Sequence, residues 1–415
     1  MSKPESYGRN YALVTTAYWS FTLTDGALRM LVLLHFHRLG FSTVNLAFLF
    51  LLYEFCGIVT NLVGGWIASQ LGLRFTLFSG LFLQILSLTM LSFSRPEWSL
   101  VVSVCYVMAS QALSGIAKDL TKMSSKSAVK LLVNPDSENQ QSTLFRWVAV
   151  LTGSKNALKG VGFFMGGFML GSLGFRNSLL LMAGALLIVL VLSLALLKSD
   201  MGKTKAKIKF SQLFSKSRSI NLLSLARVFL FGSRDVWFVV GLPIFLSTQL
   251  QWSFAAVGGF MALWVIGYGF VQAFAPGIVR RQRSTSDGMR AARFWIVALL
   301  CVSFAMALAI ELDFHPRITV LIGLAVFGVV FALNSSIHSY LILAYTDEEN
   351  VALNVGFYYM ANACGRLAGT LLSGVSYLFG GLPACLWTST AMVLLAALST
   401  LAMTSTSTSA VEYAA

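Results

Sequence analysis

The chain is a succession of long apolar stretches separated by short polar segments. Residues 179–197 and 296–310 are continuously apolar and rich in Leu and Ala, without strand-like alternation. A helix crosses a bilayer with about 20 apolar residues, whereas membrane strands alternate over about ten residues. The pattern therefore predicts an all-α membrane protein. We predict twelve spans, at residues 10–37, 43–70, 73–93, 97–120, 143–172, 176–197, 219–247, 253–278, 292–311, 317–345, 350–379 and 382–404.

A polar segment divides these spans into two sets of six. Residues 198–218 form the longest polar stretch inside the chain, so we expect an N-terminal half at 1–197, a cytoplasmic linker at 198–218 and a C-terminal half at 219–415. The halves share spaced residues, since Asp25 and Asp235 are 210 positions apart. Three further pairs are 207 positions apart: Lys159 and Arg366, Gly162 and Gly369, and Gly167 and Gly374. Such matches are typical of parallel repeats and predict two pseudo-symmetric halves.

The composition excludes a soluble enzyme and orients the chain. Charged residues make up 11% of the sequence, against about 25% in soluble proteins, and 57% of residues are hydrophobic. The net charge is +14, and 20 of the 30 Lys and Arg residues fall on one side of the predicted spans, with four on the other. Because positive residues concentrate on the cytoplasmic side, we predict that both termini are cytoplasmic, in the bacterial inner membrane.

Nothing in the sequence indicates a metal, a cofactor or a catalytic centre. The five Cys residues lie far apart within apolar segments, and the four His residues are scattered. We therefore expect no enzymatic activity, no cofactor and no metal site. The lysine-rich linker is expected to contact anionic lipid rather than nucleic acid. The oligomeric state that we expect is a monomer.

Charged residues inside the spans carry the chemical information. Each costs roughly 2.5–3.5 kcal/mol at the centre of a membrane helix, so such residues usually line a cavity or pair with one another. All of them fall on the spans expected to line a central cavity (one, two, five, seven and eleven). They are Asp25, Arg29, Glu54, Lys155, Lys159, Arg227, Arg234, Asp235 and Arg366. Asp25 and Arg29, at i and i+4, are able to pair, as are the adjacent Arg234 and Asp235. The alternative interpretation is that these residues form buried salt bridges that lock the bundle together.

The balance of these charges predicts an anionic substrate. Six basic residues face three acidic ones, an excess that a multivalent oxyanion would neutralise. We assign anion binding to Arg29, Lys122, Lys155, Lys159, Arg234 and Arg366, with Lys122 in an inner vestibule at the end of span four. Proton coupling requires a buried carboxylate that titrates, and the candidates are Asp25, Glu54 and Asp235. Glu54 has no base within a helical turn, which favours it as a proton carrier.

Two short motifs resemble signatures of the major facilitator superfamily. Residues 64–74 (GGWIASQLGLR) are similar to the loop motif of that superfamily, although Ser69 and Gln70 replace its acidic and basic pair. The glycines of span five resemble part of its antiporter signature, at Gly153, Gly162, Gly166 and Gly171, with Gly167 where a proline is expected. The resemblance implies two six-helix halves that rock around a central site.

Longer blocks resemble ArsJ-type organoarsenical efflux permeases. These blocks are residues 18–30 (YWSFTLTDGALRM), 112–120 (ALSGIAKDL), 151–162 (LTGSKNALKGVG) and 231–240 (FGSRDVWFVV). The resemblance covers nearly the whole chain. It implies export of 1-arseno-3-phosphoglycerate, an acyl arsenate made by a glyceraldehyde-3-phosphate dehydrogenase that uses arsenate in place of phosphate. Expulsion of this compound would confer arsenate resistance.

A ligand with an arsenate end and a phosphate end suggests two basic clusters. We assign Arg29, Lys155 and Lys159 to one cluster and Arg234 with Arg366 to the other. We expect proton antiport by alternating access. Two alternatives remain: a major facilitator antiporter for another phosphate ester or a drug, and a non-transporting membrane receptor. Duplicated halves with matched charges favour transport.

Overall fold

A computed structural model describes residues 4–131, 140–197, 217–279, 285–345 and 351–403. Nearly all of these residues are helical. The helices are α1 Pro4–Arg38, α2 Thr43–Leu71, α3 Leu73–Ser92, α4 Leu100–Leu131, α5 Gln140–Ser172, α6 Gly174–Leu196, α7 Arg218–Phe238, α8 Gly241–Thr248, α9 Phe254–Val279, α10 Thr285–Glu311, α11 Pro316–Ala344 and α12 Val351–Leu401. This all-α architecture confirms the predicted fold class. The predicted linker lies outside the described residues, except for Ser217 and for Arg218, which begins α7.

Each predicted span corresponds to one helix, with two exceptions. One span is divided between two helices, and two spans lie in a single helix. Together α7 and α8 form one apolar segment of 31 residues, the seventh crossing. The eleventh and twelfth crossings both lie in α12, whose backbone leaves the helical conformation at Gly380 and Gly381. Gly381 has a φ of 62°, which glycine adopts without strain. In the described ranges, nine segments are apolar enough to cross a membrane, and the two helices outside this set are the charge-bearing α1 and α5.

Hydrogen bonds join the first and fifth crossings of each half. In the first half, Trp19 Nε1 donates to Ser154 Oγ at 3.0 Å, which joins α1 to α5. In the second half, Arg227 Nε donates to Asn362 Oδ1 at 3.0 Å, which joins α7 to α12. The same two crossings are therefore in contact in each half, through different side chains.

Matched glycines hold the helices close within each half. A Cβ atom at Gly162 of α5 would lie 2.5 Å from the carbonyl oxygen of Leu23 in α1. A Cβ atom at Gly369 of α12 would lie 2.6 Å from the carbonyl oxygen of Gly232 in α7. Small residues at such positions let membrane helices approach backbone to backbone. The 207-residue spacing between Gly162 and Gly369 is therefore a structural repeat.

A second pair of matched glycines joins the two halves to each other. Gly167 of α5 packs against the backbone of Phe254 at the start of α9, and Gly374 of α12 packs against the backbone of Thr43 at the start of α2. The Thr43 hydroxyl donates to the Gly374 carbonyl at 2.9 Å. These contacts lie at the end of the bundle where α1 turns into α2 through Gly40, which we call the Gly40 end. At this end the halves are in tight contact.

Candidate functional site

A single carboxylate, that of Glu54 on α2, lies at the centre of the charged residues. Its side chain is 1% exposed, and its Oε1 accepts hydrogen bonds from two arginines. Arg29 of α1 donates from Nη2 at 2.7 Å, and Arg366 of α12 donates from Nη2 at 2.6 Å. Arg29 belongs to the first half and Arg366 to the second. The Glu54 carboxylate is therefore an ionic link between the halves.

Arg366 extends this link to a second carboxylate. Its Nε lies 3.4 Å from Asp235 Oδ2, and the opposite oxygen of Asp235 accepts from Arg234 Nε at 2.7 Å. Asp235 is 1% exposed and Arg234 is 15% exposed. The ion pair between the adjacent residues Arg234 and Asp235, which the sequence allowed, is thus formed. The chain of charges runs without interruption from α1 through α2 and α12 to α7.

Asp25 does not pair with Arg29, although their i, i+4 spacing would allow it. Asp25 Oδ1 instead accepts a hydrogen bond from Tyr53 Oη at 2.7 Å. Arg29 turns towards α2, where its guanidinium carbon lies 5.2 Å and 5.3 Å from the ring centres of Phe50 and Tyr53. The aromatic rings and the Glu54 carboxylate together hold Arg29, so the carboxylate one turn away on its own helix is left with a neutral partner.

Lys159 brings a positive charge to the same centre. Its side chain is half-buried, with Nζ 5.7 Å from the ring centre of Phe163. In the described part of the chain, no carboxylate lies within ion-pair distance of this ammonium. The charges of Arg29, Arg366, Asp25 and Lys155 are nevertheless close enough to act on it. Lys159 thus lies near three basic side chains and one carboxylate, a surrounding that is positive on balance and would stabilise an anion.

Two sequence-based expectations about these residues require correction. Arg29 and Arg366 share one oxygen of Glu54, so the two predicted basic clusters are a single cluster. The second expectation concerns Glu54, which is favoured as a proton carrier because no base lies within a helical turn of it; its carboxylate is paired with Arg29 and Arg366 from other helices. These arginines lie 25 and 312 residues from Glu54 along the chain, on other helices. The spacing of charges within one helix therefore could not predict them as partners.

Lys122 lies in a separate polar group on α4. Its Nζ is 3.0 Å from Asn61 Oδ1 and 3.6 Å from Asp119 Oδ1. The buried Asp119 carboxylate also accepts from Thr60 Oγ1 at 2.5 Å. Lys118 Nζ lies 4.0 Å above the ring of Tyr53, whose hydroxyl contacts Asp25. Tyr53 therefore connects this group to the centre.

Tyr53 and Asp119 are site residues that sequence reasoning missed. An apolar span gives a tyrosine no distinguishing context, whereas the pair Lys118–Asp119 inside a span was a usable signal. The side chains of Lys126 and Lys130, which continue the α4 lysine series, lie outside the described side chains.

Comparison with known proteins places the chain in a transporter class. A sequence model described as the Major Facilitator Superfamily matches residues 11–309. The chain belongs to this superfamily, and it is a multi-pass membrane protein of the secondary transporter class. No curated protein matches the sequence.

Two solved structures share the fold. The first is a transporter of the POT family in complex with a thioalcohol-conjugated peptide, 14% identical, with a TM-score of 0.70 over 94% of this chain and 95% of that one. The second is a bacterial homologue of the iron transporter ferroportin in an outward-facing state, 16% identical, with a TM-score of 0.66 over 94% of this chain and 98% of that one. At these identities the similarity describes the fold alone.

Proposed function

We propose that this chain exports a small organic molecule with two oxyanion ends, 1-arseno-3-phosphoglycerate, and thereby confers arsenate resistance. The observation that carries the proposal is the cross-half cluster of Arg29, Glu54 and Arg366, with the uncompensated Lys159 beside it. The sequence blocks that resemble organoarsenical permeases supply much of the same cluster. Asp25, Arg29, Lys155, Lys159, Arg234 and Asp235 all lie in those blocks.

The charge of the cluster favours an anion over a cation or a neutral drug. Arg29, Lys159, Arg234 and Arg366 outnumber the carboxylates of Asp25, Glu54 and Asp235, and Lys155 lies one helical turn from Lys159. Guanidinium groups bind phosphate-like oxyanions through two parallel hydrogen bonds. A tetrahedral oxyanion at this point would complete the charge balance.

The ion pair between Glu54 and Arg366 supplies a mechanism for alternating access. The pair links the halves, so separation of the halves at the level of the cluster must break it. An oxyanion that replaces Glu54 on Arg366 would compensate the arginine while the halves move apart. Such a ligand shifts the conformational equilibrium because it binds the two conformations with different free energies.

Asp25 is the carboxylate best suited to proton coupling. Glu54 and Asp235 each contact arginine, and protonation of either would leave a buried guanidinium without its partner. Asp25 accepts from the neutral Tyr53 hydroxyl, so it gains or loses a proton without breaking an ion pair.

The distribution of basic residues supports an orientation with the Gly40 end outside. Both termini would then lie in the cytoplasm of a bacterial cell, in its inner membrane. The substrate would arrive from a cytoplasmic glyceraldehyde-3-phosphate dehydrogenase and leave on the Gly40 side. A monomer is sufficient for this cycle, since one chain contains the whole cluster.

Arsenate resistance in a strain without its own arsenic exporters tests this function. Cells that carry this chain and the dehydrogenase should grow in arsenate and retain little arsenic, whereas cells with either component alone should not. The Lys159→Gln variant, which should keep the fold, should abolish resistance at equal membrane expression. Resistance without the dehydrogenase would contradict the organoarsenical substrate, and export of phosphate esters alone would favour the phosphate-ester antiporter.

A further inference from the structure

Arg227 is a buried cation with neutral partners outside the central cluster. It lies on α7, and its residue surface is 5% exposed. Its Nε donates to Asn362 Oδ1 at 3.0 Å, and its Nη1 lies 3.1 Å from Ser335 Oγ and 3.2 Å from the Ser335 carbonyl oxygen. No carboxylate of the described residues lies within ion-pair distance. A buried charge without a counterion is costly, so this position favours an anionic ligand.

Three polar groups converge on one hydroxyl oxygen beside Arg227. The hydroxyl oxygen of Ser335 on α11 lies within hydrogen-bond distance of Arg227, of Tyr268 Oη at 3.4 Å and of Gln272 Nε2 at 3.2 Å. A hydroxyl group has two lone pairs and one proton, so Ser335 can accept from Arg227 and Gln272 and donate to the Tyr268 hydroxyl. The guanidinium, amide and phenol groups are all donors that an oxyanion beside Arg227 could use in place of Ser335.

A nearby histidine adds a polar group without a partner. His338 is 0% exposed, and neither of its ring nitrogens has a hydrogen-bond partner. Its ring lies close enough to Arg227 for the arginine charge to act on it. A buried imidazole normally pairs both nitrogens, with protein groups or with water. The region around Arg227 therefore contains unused hydrogen-bonding capacity as well as unbalanced charge.

Arg227 lies close to Arg234, which belongs to the chain of charges around the central cluster. Arg227 and Arg234 are two turns apart on the same face of α7, and both contact the ring of Phe231. Their guanidinium carbons lie 3.9 Å and 5.0 Å from the centre of that ring, so the two groups are separated by less than about 9 Å. A small ligand with an oxyanion at each end spans such a gap.

We propose that a second oxyanion subsite is formed by Arg227, Tyr268, Gln272 and Ser335. This subsite holds one end of the substrate, while the central cluster of Arg29, Glu54 and Arg366 holds the other. The inference rests on the proposed function and adds the location of the second end. The two predicted basic clusters form a single central cluster in the structure, so that cluster would bind only one end of the substrate. The Arg227 subsite makes the chain selective for molecules with two charged ends on a short carbon chain.

Binding of two stable probes to the purified full-length chain tests this subsite. Propane-1,3-diyl bisphosphate has two phosphate ends on three carbons, and propyl phosphate has one. We expect the wild-type chain to bind the bisphosphate at least about tenfold more tightly, as charge-assisted hydrogen bonds at the second end would provide. The Arg227→Gln variant should lose this preference and retain its affinity for propyl phosphate. The Arg366→Gln variant should weaken the binding of both probes.

Controls separate the subsite from a folding effect. Ser335→Ala leaves Arg227 in place and should reduce the preference several-fold, while Arg293→Gln removes an arginine that donates to the carbonyl oxygens of Leu401 and Met403 and should change neither affinity. A melting temperature measured without ligand reports the fold of each variant. If Arg227→Gln and Ser335→Ala both keep the wild-type preference, the subsite proposal is overturned and the central anion site stands. If the wild-type chain binds neither probe, the proposed function is overturned as well.

Discussion

The two halves of this transporter place different cations at equivalent positions. Lys159 on α5 and Arg366 on α12 are 207 residues apart and both approach the central cluster. Arg366 contacts two carboxylates, Glu54 and Asp235, whereas Lys159 has no carboxylate within ion-pair distance in the described part of the chain. Arg366 therefore joins the halves through ion pairs, whereas Lys159 forms none with a described carboxylate and leaves its charge available to the ligand that we propose.

The same contrast recurs at the contact between the first and fifth crossings of each half. In the first half, an indole and a hydroxyl meet, through Trp19 and Ser154; in the second half, a guanidinium and an amide meet, through Arg227 and Asn362. The backbone packing at the glycines is similar in the two halves, whereas these side chains differ. The second half has a buried cation at this contact, Arg227, which we assign to ligand binding, where the first half has the neutral Trp19.

The largest expected effect is the difference in stability between the Arg366→Gln and Lys159→Gln variants. Arg366→Gln leaves Glu54 and Asp235 with fewer partners in a buried site, so we expect about 3–5 kcal/mol of destabilisation together with loss of transport. Lys159→Gln removes a charge that forms no ion pair with a described carboxylate, so the fold should be retained while transport is lost. Thermal unfolding and vesicle transport, measured on both variants, check this. Equal destabilisation by the two substitutions would contradict the division of roles.

The next effect tests the equivalence of the glycines within each half. A valine at Gly162 or Gly369 would drive side-chain atoms into a backbone carbonyl, at Leu23 or Gly232 respectively, and overpacking of this kind costs about 1–3 kcal/mol. The two substitutions should lower the melting temperature by similar amounts. Gly184→Val is the control, because nothing lies within 4 Å of a Cβ atom there. A marked difference between the two halves would show that their packing is not equivalent.

Glycines between the halves should affect conformation more than stability. A valine at Gly374 would clash with Thr43 and Ala47 across the interface, and movement of the halves relieves the clash without unfolding either half. In a chain without its native cysteines, a cysteine at the buried position 47 should therefore react faster with a maleimide once Gly374 is valine. The control is Gly171→Val, which lies in open space. An unchanged reaction rate would show that the Gly40 end does not open in this way.

The smallest expected effect concerns the hydrogen bond between Trp19 and Ser154 in the first half. Trp19→Phe removes the donor to Ser154 and keeps an aromatic ring, so we expect about 1 kcal/mol of destabilisation and nearly normal transport. Asn362→Leu, at the equivalent contact, removes a partner of the buried Arg227 and should impair binding of the bisphosphate probe as well as stability. Melting temperature and probe affinity measured on both variants distinguish a contact that only packs from one that supports a ligand.

The sequence was sufficient for the helices and the repeat, because both depend on local composition and spacing. Most helix ends lie within a few residues of the predicted span ends, and the pairs Gly162–Gly369 and Gly167–Gly374 occupy equivalent contacts. The turn at Gly380 and Gly381, which separates the last two crossings, falls at the predicted residues 380–381.

The partners within the site were not predictable in the same way. Glu54 meets Arg366 from 312 residues away, and Ser335 meets Arg227 from 108 residues away. Such contacts depend on how the halves pack together, which charge counting along one helix does not determine. The spacing of charges along α1 allowed a pair between Asp25 and Arg29, whereas the partner of Asp25 in the structure is Tyr53 of α2.

The most direct test of the central claim is transport of the arsenic compound itself. Everted membrane vesicles that contain this chain would receive radiolabelled arsenate, glyceraldehyde 3-phosphate, and the dehydrogenase with its cofactor. We predict that the label accumulates in the vesicles only with the complete mixture and that this uptake dissipates an imposed acid-inside pH gradient. Vesicles that contain the Arg366→Gln variant should accumulate no label. Accumulation of arsenate without the dehydrogenase, or equal accumulation with the Arg366→Gln variant, would contradict the account.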